Sequence, residues 1–414
     1  RRQRQMCIRD RLCTVGIGLY AATRVKSTSD YALAGRSLPL VMVVTATFAT
    51  WFGSESVLGT PGQFIKNGLE GVVEEPVGSS MALILVGVFF ARKLYKMSLL
   101  TVGDFYRRRY GVSVELVCSI FVVLSYLGWV AAQVAALGLV MHILTEGYIS
   151  VSVAMIIGTI VVLIYTVFGG MWSVALTDFF QMIIIVIGLA LVAVFASSMA
   201  GGVQNVTSYA VDHDLFRFFP ENSVKGWLFW ISAAITMMIG SIPQQDVFQR
   251  VMSAKTARIA CIGPIIGGSF YLVFAAIPMF IVVAASVAVP DMAAGLMNTD
   301  PQEILPTFIK EHMPLWLRIL FFGAVLSAVM STDSATMLAP TTTFVENVLR
   351  NIIPLSDKRE LRAMRISLII FALGVLAYSL SMEGTPIYEL AAMAYQFPVI
   401  GAFWPVSYTH LTLP

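Results

Sequence analysis

Apolar runs of about 20 residues, the length that crosses the hydrocarbon core of a bilayer, recur throughout this chain of 414 residues. Hydrophobic residues make up 57% of the chain, charged residues only 12%, and the mean hydropathy is +0.81. This composition is far from that of a soluble domain. The sequence therefore predicts an all-α polytopic protein that crosses the plasma or inner membrane of a cell many times. Ten full runs and a shorter remnant near 14–22 are found, at about 38–58, 76–92, 115–145, 150–170, 174–200, 226–246, 260–289, 315–345, 366–382 and 386–405.

Positive charge is distributed unevenly between alternate connections of these runs. One set of connections holds 17 Lys and Arg residues and the other set holds 4. Because Lys and Arg concentrate in cytoplasmic loops, the first set is assigned to the cytoplasm, and the contrast supports the count of runs. The cytoplasmic set is 22–37, 92–111, 248–258 and 346–366, and the outer set is 59–75, 145–150, 201–226, 289–314 and 383–386.

The two ends of the chain differ abruptly in composition from the rest. We expect residues 1–13 and 406–414 to be non-native and residues 14–405 to form one transmembrane domain that is truncated at both ends. The alternative is a basic N-terminal arm and a short polar tail. In neither case do the N-terminal arginines indicate nucleic-acid binding. Four cysteines at unrelated spacings indicate neither a disulfide framework nor a zinc site.

Two runs are interrupted by residues that break helices. The run from 38 meets Gly53-Ser54-Glu55 and is expected to end at Gly59-Thr60-Pro61-Gly62, and the run from 226 meets Gly240-Ser241-Ile242-Pro243. The two lie five runs apart, as the first helices of two inverted five-helix repeats would. Paired interruptions of this kind mark the midplane binding site of transporters. The alternative is that Gly and Pro are simply common in membrane helices.

The run FFGAVLSAVMSTDSATMLAP at 321–340 is rich in hydroxyl groups. Ala328, Ser331 and Thr332 stand at i, i+3 and i+4, so they share one helix face. Carbonyl and hydroxyl oxygens on such a face suit a small, hard cation. The alternative is close helix packing, which also uses rows of small residues.

Four motifs together resemble the sodium:solute symporter family: SDYALAGRSLP at 29–39, ATWFGSESVLGTPG at 49–62, YTVFGGMWSVALTDFFQ at 165–181 and LSAVMSTDSATMLA at 326–339. The resemblance implies a LeuT-like core of five plus five inverted helices. It also implies a sodium-coupled symporter that imports a small organic solute by alternating access. The alternative is a membrane sensory module of the same fold fused to a cytoplasmic signalling domain. An enzyme is not expected, because the four His residues are scattered and neither HExxH nor GxSxG occurs.

The resemblance also carries over a set of sodium ligands. Backbone carbonyls of Ala49 and Phe52 in the first core helix, the carbonyl of Ala328, and the hydroxyls of Ser331 and Thr332 match the family's ion positions. Na⁺ is accordingly the expected coupling ion. No catalytic residues are implied.

Three further residues are implied by the same resemblance. Asp178 is expected on the cytoplasmic path of the ion, although a short preceding loop would instead leave it at the wet membrane boundary or at a helix N-terminus. Trp51 and Gln244 are expected at the solute, in a pattern closest to the choline-transporter branch. Trp51 suits a choline-like cation, whereas the amide of Gln244 equally suits an amino acid, a carboxylate or a vitamin.

Overall fold

The computed structural model describes residues 16, 20–21, 23–221, 223–398 and 401, and their regular structure is helical apart from one β-bridge. The α-helices are α1 Thr28–Leu33, α2 Leu40–Trp51, α3 Thr60–Asn67, α4 Ser79–Leu85, α5 Ala91–Lys96, α6 Val102–Tyr110, α7 Val112–Leu144, α8 Val151–Met199, α9 Val203–Asp212, α10 Val224–Gly240, α11 Gln245–Ser253, α12 Ala257–Phe274, α13 Ala276–Ala288, α14 Pro290–Met297, α15 Ile304–His312, α16 Leu315–Thr343, α17 Arg350–Ile352, α18 Asp357–Ser381 and α19 Ile387–Pro398. Short 3₁₀ segments lie at Ala34–Arg36, Leu69–Val72 and Pro301–Glu303, and π-helical segments at Glu55–Gly59, Val73–Gly78, Val86–Phe90 and Phe344–Leu349.

Six helical segments of the described chain are long and apolar enough to cross a membrane, and two bent helix pairs raise the number to as many as eight. Their outward faces carry exposed apolar side chains, for example Ile120, Ile160 and Ile370, as a surface in contact with lipid requires. The chain is a multi-pass integral membrane protein. The expected remnant near 14–22 lies largely outside the described residues, as do Cys7, Cys13 and most of 399–414.

Two of the predicted runs are joined in the single helix α8, which is 49 residues long. At 1.5 Å per residue it would extend about 75 Å, more than twice the ~30 Å of a hydrocarbon core. It is divided at Gly170, whose φ of 51° and ψ of −145° are not helical. The helix therefore contains two crossings with a bend between them, as the two separate runs predict.

The first predicted interruption is confirmed, although the helix does not end where expected. The segments Leu40–Trp51 and Glu55–Asn67 are bent by 59° about residues 52–54. The helix then continues through Gly59 and Gly62, because the π-helical turn Glu55–Gly59 directly before α3 accommodates Pro61, a residue without an N–H. The expectation that the span ends at Gly59-Thr60-Pro61-Gly62 is therefore wrong.

The second interruption divides α10 from α11, which are bent by 43° about residues 241–244. The two broken helices are joined at their ends by the β-bridge. The amide of Leu38, just before α2, donates to the carbonyl of Ser253 at 3.0 Å, and the amide of Lys255 donates to the carbonyl of Leu38 at 2.9 Å. These bonds fix one broken helix against the other.

The hydroxyl-rich helix α16 is enclosed by protein and does not face lipid. Every side chain from Ala324 to Thr343 is buried, and the helix packs against α2, α7, α8, α11 and α18. Most of its hydroxyls donate to a carbonyl one turn earlier, as Thr336 does to Thr332 at 2.8 Å. Ser331 and Thr332 differ, because they bond to other helices.

Gly170→Ala tests the bend in α8. An added Cβ would lie 2.5 Å from the carbonyl oxygen of Tyr31, and the backbone conformation is one that only glycine adopts readily. We expect a loss of at least about 2 kcal/mol in stability, seen as a lower midpoint of thermal unfolding in detergent. Gly374→Ala is the control, since nothing lies within 4 Å of its added Cβ, and an unchanged midpoint for both variants would contradict the assignment.

Candidate functional site

The break in the first core helix lies directly against α16. The hydroxyl of Thr332 donates to the carbonyl oxygen of Ala49 at 3.1 Å. The approach depends on Gly53, where an added Cβ would lie 2.7 Å from the Thr332 hydroxyl. Phe52 ends α2 with φ −83° and ψ 69°, so its carbonyl leaves the direction of the helix axis. Two of the five predicted sodium ligands, Thr332 and Ala49, are therefore in direct contact. A third, Phe52, lies at the break itself.

The other predicted ligands line the same buried face of α16. Ala328, Ser331 and Thr332 are all fully buried. The hydroxyl of Ser331 donates to Oδ1 of Asp178 on α8. The available oxygens are carbonyls, hydroxyls and one carboxylate, which is the ligand set that a hard monovalent cation prefers.

Asp178 lies neither at the wet membrane boundary nor at a helix N-terminus, the two alternatives that its sequence context allows. It stands eight residues after the Gly170 bend, well inside α8, and it is fully buried. Its Oδ2 has no hydrogen-bond partner among the described residues. A carboxylate with a vacant oxygen beside Ser331 is positioned to contact an ion at or near the predicted site. On α16, Asp333 is likewise buried, and neither of its oxygens has a partner within the described chain.

Trp51 forms part of an aromatic cluster. Its ring lies edge-on to Trp129, with centroids 6.0 Å apart, and tilted against Tyr395 at 6.4 Å. Trp129 in turn lies 5.5 Å from Tyr395 and stacks on Tyr126 at 6.0 Å. Four rings from α2, α7 and α19 therefore form one connected cluster next to the break.

Each of the two tryptophans donates its indole N–H to a buried carboxylate. Trp51 Nε1 donates to Oδ2 of Asp246 at 3.1 Å, and Trp129 Nε1 donates to Oε1 of Glu55 at 2.8 Å. The hydroxyl of Tyr126 donates to the other oxygen of Asp246. The cluster thus combines aromatic faces with negative charge, two features that attract a cation.

Gln244 is buried at the N-terminal end of α11, and neither amide atom has a hydrogen-bond partner among the described residues. It does not contact Trp51 through any hydrogen bond or ring contact that the described chain contains. The second broken helix reaches Trp51 through Asp246, two residues further on. A free buried amide is costly, so Gln244 is available to a solute.

Sequence reasoning missed Asp246, Glu55 and Trp129. The first two carried a usable signal, because a carboxylate next to a helix break inside an apolar run is a functional candidate by default. Trp129 lies within a long apolar run and carries no such signal. Glu75, which the sequence places at the end of the outer connection 59–75, is only 3% exposed.

The chain is similar in sequence to known transporters. High affinity choline transporter 1 of Homo sapiens is 28% identical over 389 residues, covering 88% of this chain and 65% of the relative. High-affinity choline transporter 1 of Caenorhabditis elegans is 27% identical over 399 residues, covering 90% of this chain and 67% of the relative. The chain therefore spans about two thirds of the length of these relatives, and slightly less for the human one.

The fold is also found among solved structures. A Na⁺-coupled sialic acid symporter, in a substrate-bound outward-open state, superposes with a TM-score of 0.82 at 18% identity, covering 97% of this chain and 86% of the symporter. The predicted LeuT-like core of five plus five inverted helices is thereby confirmed. The family model for the sodium:solute symporter family matches residues 31–406. The chain belongs to the sodium:solute symporter family.

Proposed function

We propose that the protein is a sodium-coupled symporter that imports a small organic solute by alternating access. The observation that carries this proposal is the contact of Thr332 on α16 with Ala49 at the break in the first core helix. Family membership supports sodium as the coupling ion. One positive charge that moves inward across 100 mV supplies about 2.3 kcal/mol, in addition to the sodium gradient.

Sodium would be held by the carbonyls of Ala49, Phe52 and Ala328 and the hydroxyls of Ser331 and Thr332. The bond from Thr332 to Ala49 uses two of these oxygens. When Na⁺ enters, the hydroxyl proton turns away and both oxygens face the ion. The ion then connects the broken helix with α16, so its binding favours the arrangement in which the two helices are close together. By linkage, sodium and solute raise each other's affinity if both prefer that arrangement.

Asp178 serves the ion's release toward the cytoplasm. It accepts a hydrogen bond from Ser331, one of the proposed ligands, and its second oxygen is free. A carboxylate in this position attracts a cation that leaves the ligand set. It also holds the Ser331 hydroxyl in one orientation, which couples the site to the cytoplasmic half of α8.

We further propose that the solute carries a positive charge and binds near Trp51, with Gln244 as a polar contact. The rings of Trp51, Trp129 and Tyr395 stand at steep angles to one another, as the walls of a cage around an ammonium group do. Asp246 and Glu55 accept the indole N–H groups, and their negative charge makes the ring faces more attractive to a cation. An anionic solute would meet repulsion from the same carboxylates.

An amino acid is the second candidate solute. Arg250 on α11 is buried, and its Nε and one terminal nitrogen have no partner among the described residues. A guanidinium with free N–H groups suits a carboxylate. An amino acid would place its ammonium group at the aromatic cluster and its carboxylate toward Arg250.

Ser331→Ala combined with Thr332→Ala tests the sodium site. Removing two oxygen ligands is expected to raise the sodium concentration for half-maximal uptake at least about tenfold, which corresponds to ~1.4 kcal/mol. Uptake is measured in proteoliposomes against sodium concentration. Thr341→Ala is the control, because its hydroxyl donates within the same helix to Met337 at 3.0 Å. A double variant with the sodium dependence of the unmodified protein would refute the site.

Binding of choline, compared with binding of its uncharged isostere 3,3-dimethyl-1-butanol, tests the charge of the solute. The two have nearly the same shape, so a difference in binding reports the charge. If cation–π attraction in a dry site contributes about 2 kcal/mol, the alcohol binds roughly 30-fold more weakly. Binding is measured by thermal shift of the purified protein in sodium. Equal binding of both compounds would contradict a cationic solute. Stabilisation by amino acids, and by neither of these two compounds, would contradict it as well and favour the second candidate.

A further inference from the structure

A small space lies on the outer side of the aromatic cluster. Its volume is about 10 Å³, which is room for one water-sized particle and no organic solute. It is bordered by polar side chains from the broken first helix, the segment before α4 and helix α19. These are Glu55, Glu74, Glu75, Tyr388 and Tyr395, with Met237, Ala391 and Ala392 as apolar neighbours.

Two buried carboxylates meet at this space and differ in their hydrogen bonds. Both oxygens of Glu55 accept bonds, from Trp129, from Gln133 at 2.7 Å and from Ser54 at 3.2 Å. Three donors are the pattern of an ionised carboxylate. Glu75 accepts one bond on Oε1, from Ser56 at 3.2 Å, whereas its Oε2 is buried without a partner in the described chain.

A third oxygen at the same space is also free. Tyr395 is 1% exposed, and its hydroxyl has no hydrogen-bond partner among the residues that the structure describes. A buried hydroxyl without a partner carries a cost of about 1–3 kcal/mol. Its position on the lining of a space that also contains the free Glu75 oxygen points to a ligand that both oxygens contact.

The carboxylates at this space have no basic partner in the described chain. No Lys, Arg or His within the described ranges forms an ion pair with Glu55, Glu74 or Glu75. The donors to Glu55 and Glu75 are neutral side chains. Buried carboxylates without a counter-charge are strongly destabilising. A bound cation or a proton would remove this cost.

Polar side chains connect the space both with the outer surface and with the proposed sodium site. A cleft of about 730 Å³ on the outer side shares Glu74, Tyr388 and Ala392 with it. On its inner side, Gln133 donates to Glu55 and accepts from the amide of Ser54 at 2.9 Å. An added Cβ at Gly53 would contact both Gln133 and Thr332, so Gln133 also lies close to the residues proposed to hold sodium.

We infer that Glu55, Glu75 and Tyr395 form a second sodium site, which receives Na⁺ from the outer cleft before the ion moves to Thr332 and Ala49. The ligands are hard oxygens, and the space fits a bare ion. Two carboxylates and a phenol hydroxyl are hard oxygen ligands of the kind that a sodium ion accepts. This inference rests on the sodium coupling proposed above.

Equilibrium binding of radioactive sodium to the full chain in lipid nanodiscs tests the second site. The unmodified protein is expected to bind two sodium ions and Glu75→Gln one. The amide keeps the size of the side chain and removes its charge. Glu389→Gln is the control, because Glu389 is an exposed carboxylate in the same outer cleft, and it is expected to leave the count at two.

The outcomes separate this inference from the proposed function. The double variant Ser331→Ala with Thr332→Ala should lower the number of bound sodium ions by one, independently of Glu75. If this double variant still binds two ions while Glu75→Gln binds one, the main site is contradicted and the outer site is not. An unmodified protein that binds a single ion, or a Glu75→Gln variant that still binds two, would overturn the second site. If the count is one and Glu75→Gln instead abolishes a pH dependence of uptake, the occupant is a proton and the sodium assignment is wrong.

Discussion

A membrane helix can open only where other groups replace its lost backbone hydrogen bonds, and this requirement determines the arrangement around residues 52–54. Thr332 donates to the carbonyl of Ala49 on one side of the break, and the amide of Ser54 donates to Gln133 on the other. Gly53 allows both side chains to approach. The packing of α7 and α16 against the first core helix therefore satisfies the break and, at the same time, brings oxygen ligands to it.

The buried carboxylates, like the groups at the break, are held by side chains of neighbouring helices. Asp178, Glu55 and Asp246 each accept hydrogen bonds from neutral donors on a neighbouring helix. Neutral donors hold a carboxylate in place without cancelling its charge, so the negative potential remains available to a cation. The three carboxylates lie beside the proposed sodium ligands and the aromatic cluster. The buried guanidinium of Arg250, which donates to the carbonyl of Asp246 at 2.9 Å, offsets part of the charge of Asp178.

The paired breaks and the buried hydroxyl face of α16 were predictable from the sequence, because Gly, Pro and Ser/Thr act through local backbone geometry. Two kinds of feature were not. The burial of Glu75 arises because the segment before α4 packs against the first core helix and α19, and hydropathy does not show such contacts. The pairing of Trp51 with Trp129 and Asp246 joins residues that are far apart in the sequence, and it arises from the packing of three helices. Local patterns therefore indicated the buried hydroxyl face of α16 well and the contacts around Trp51 poorly.

The central claim is that sodium connects the broken first helix with α16. A cryo-electron microscopy comparison of the protein in sodium and in N-methyl-D-glucamine tests it most directly. With sodium we expect density for an ion in contact with the carbonyl of Ala49 and the hydroxyl of Thr332, which no longer bond to each other directly. Without sodium, the direct bond of 3.1 Å should be present. A direct bond between Thr332 and Ala49 in both conditions, with no ion density beside it, would contradict the account.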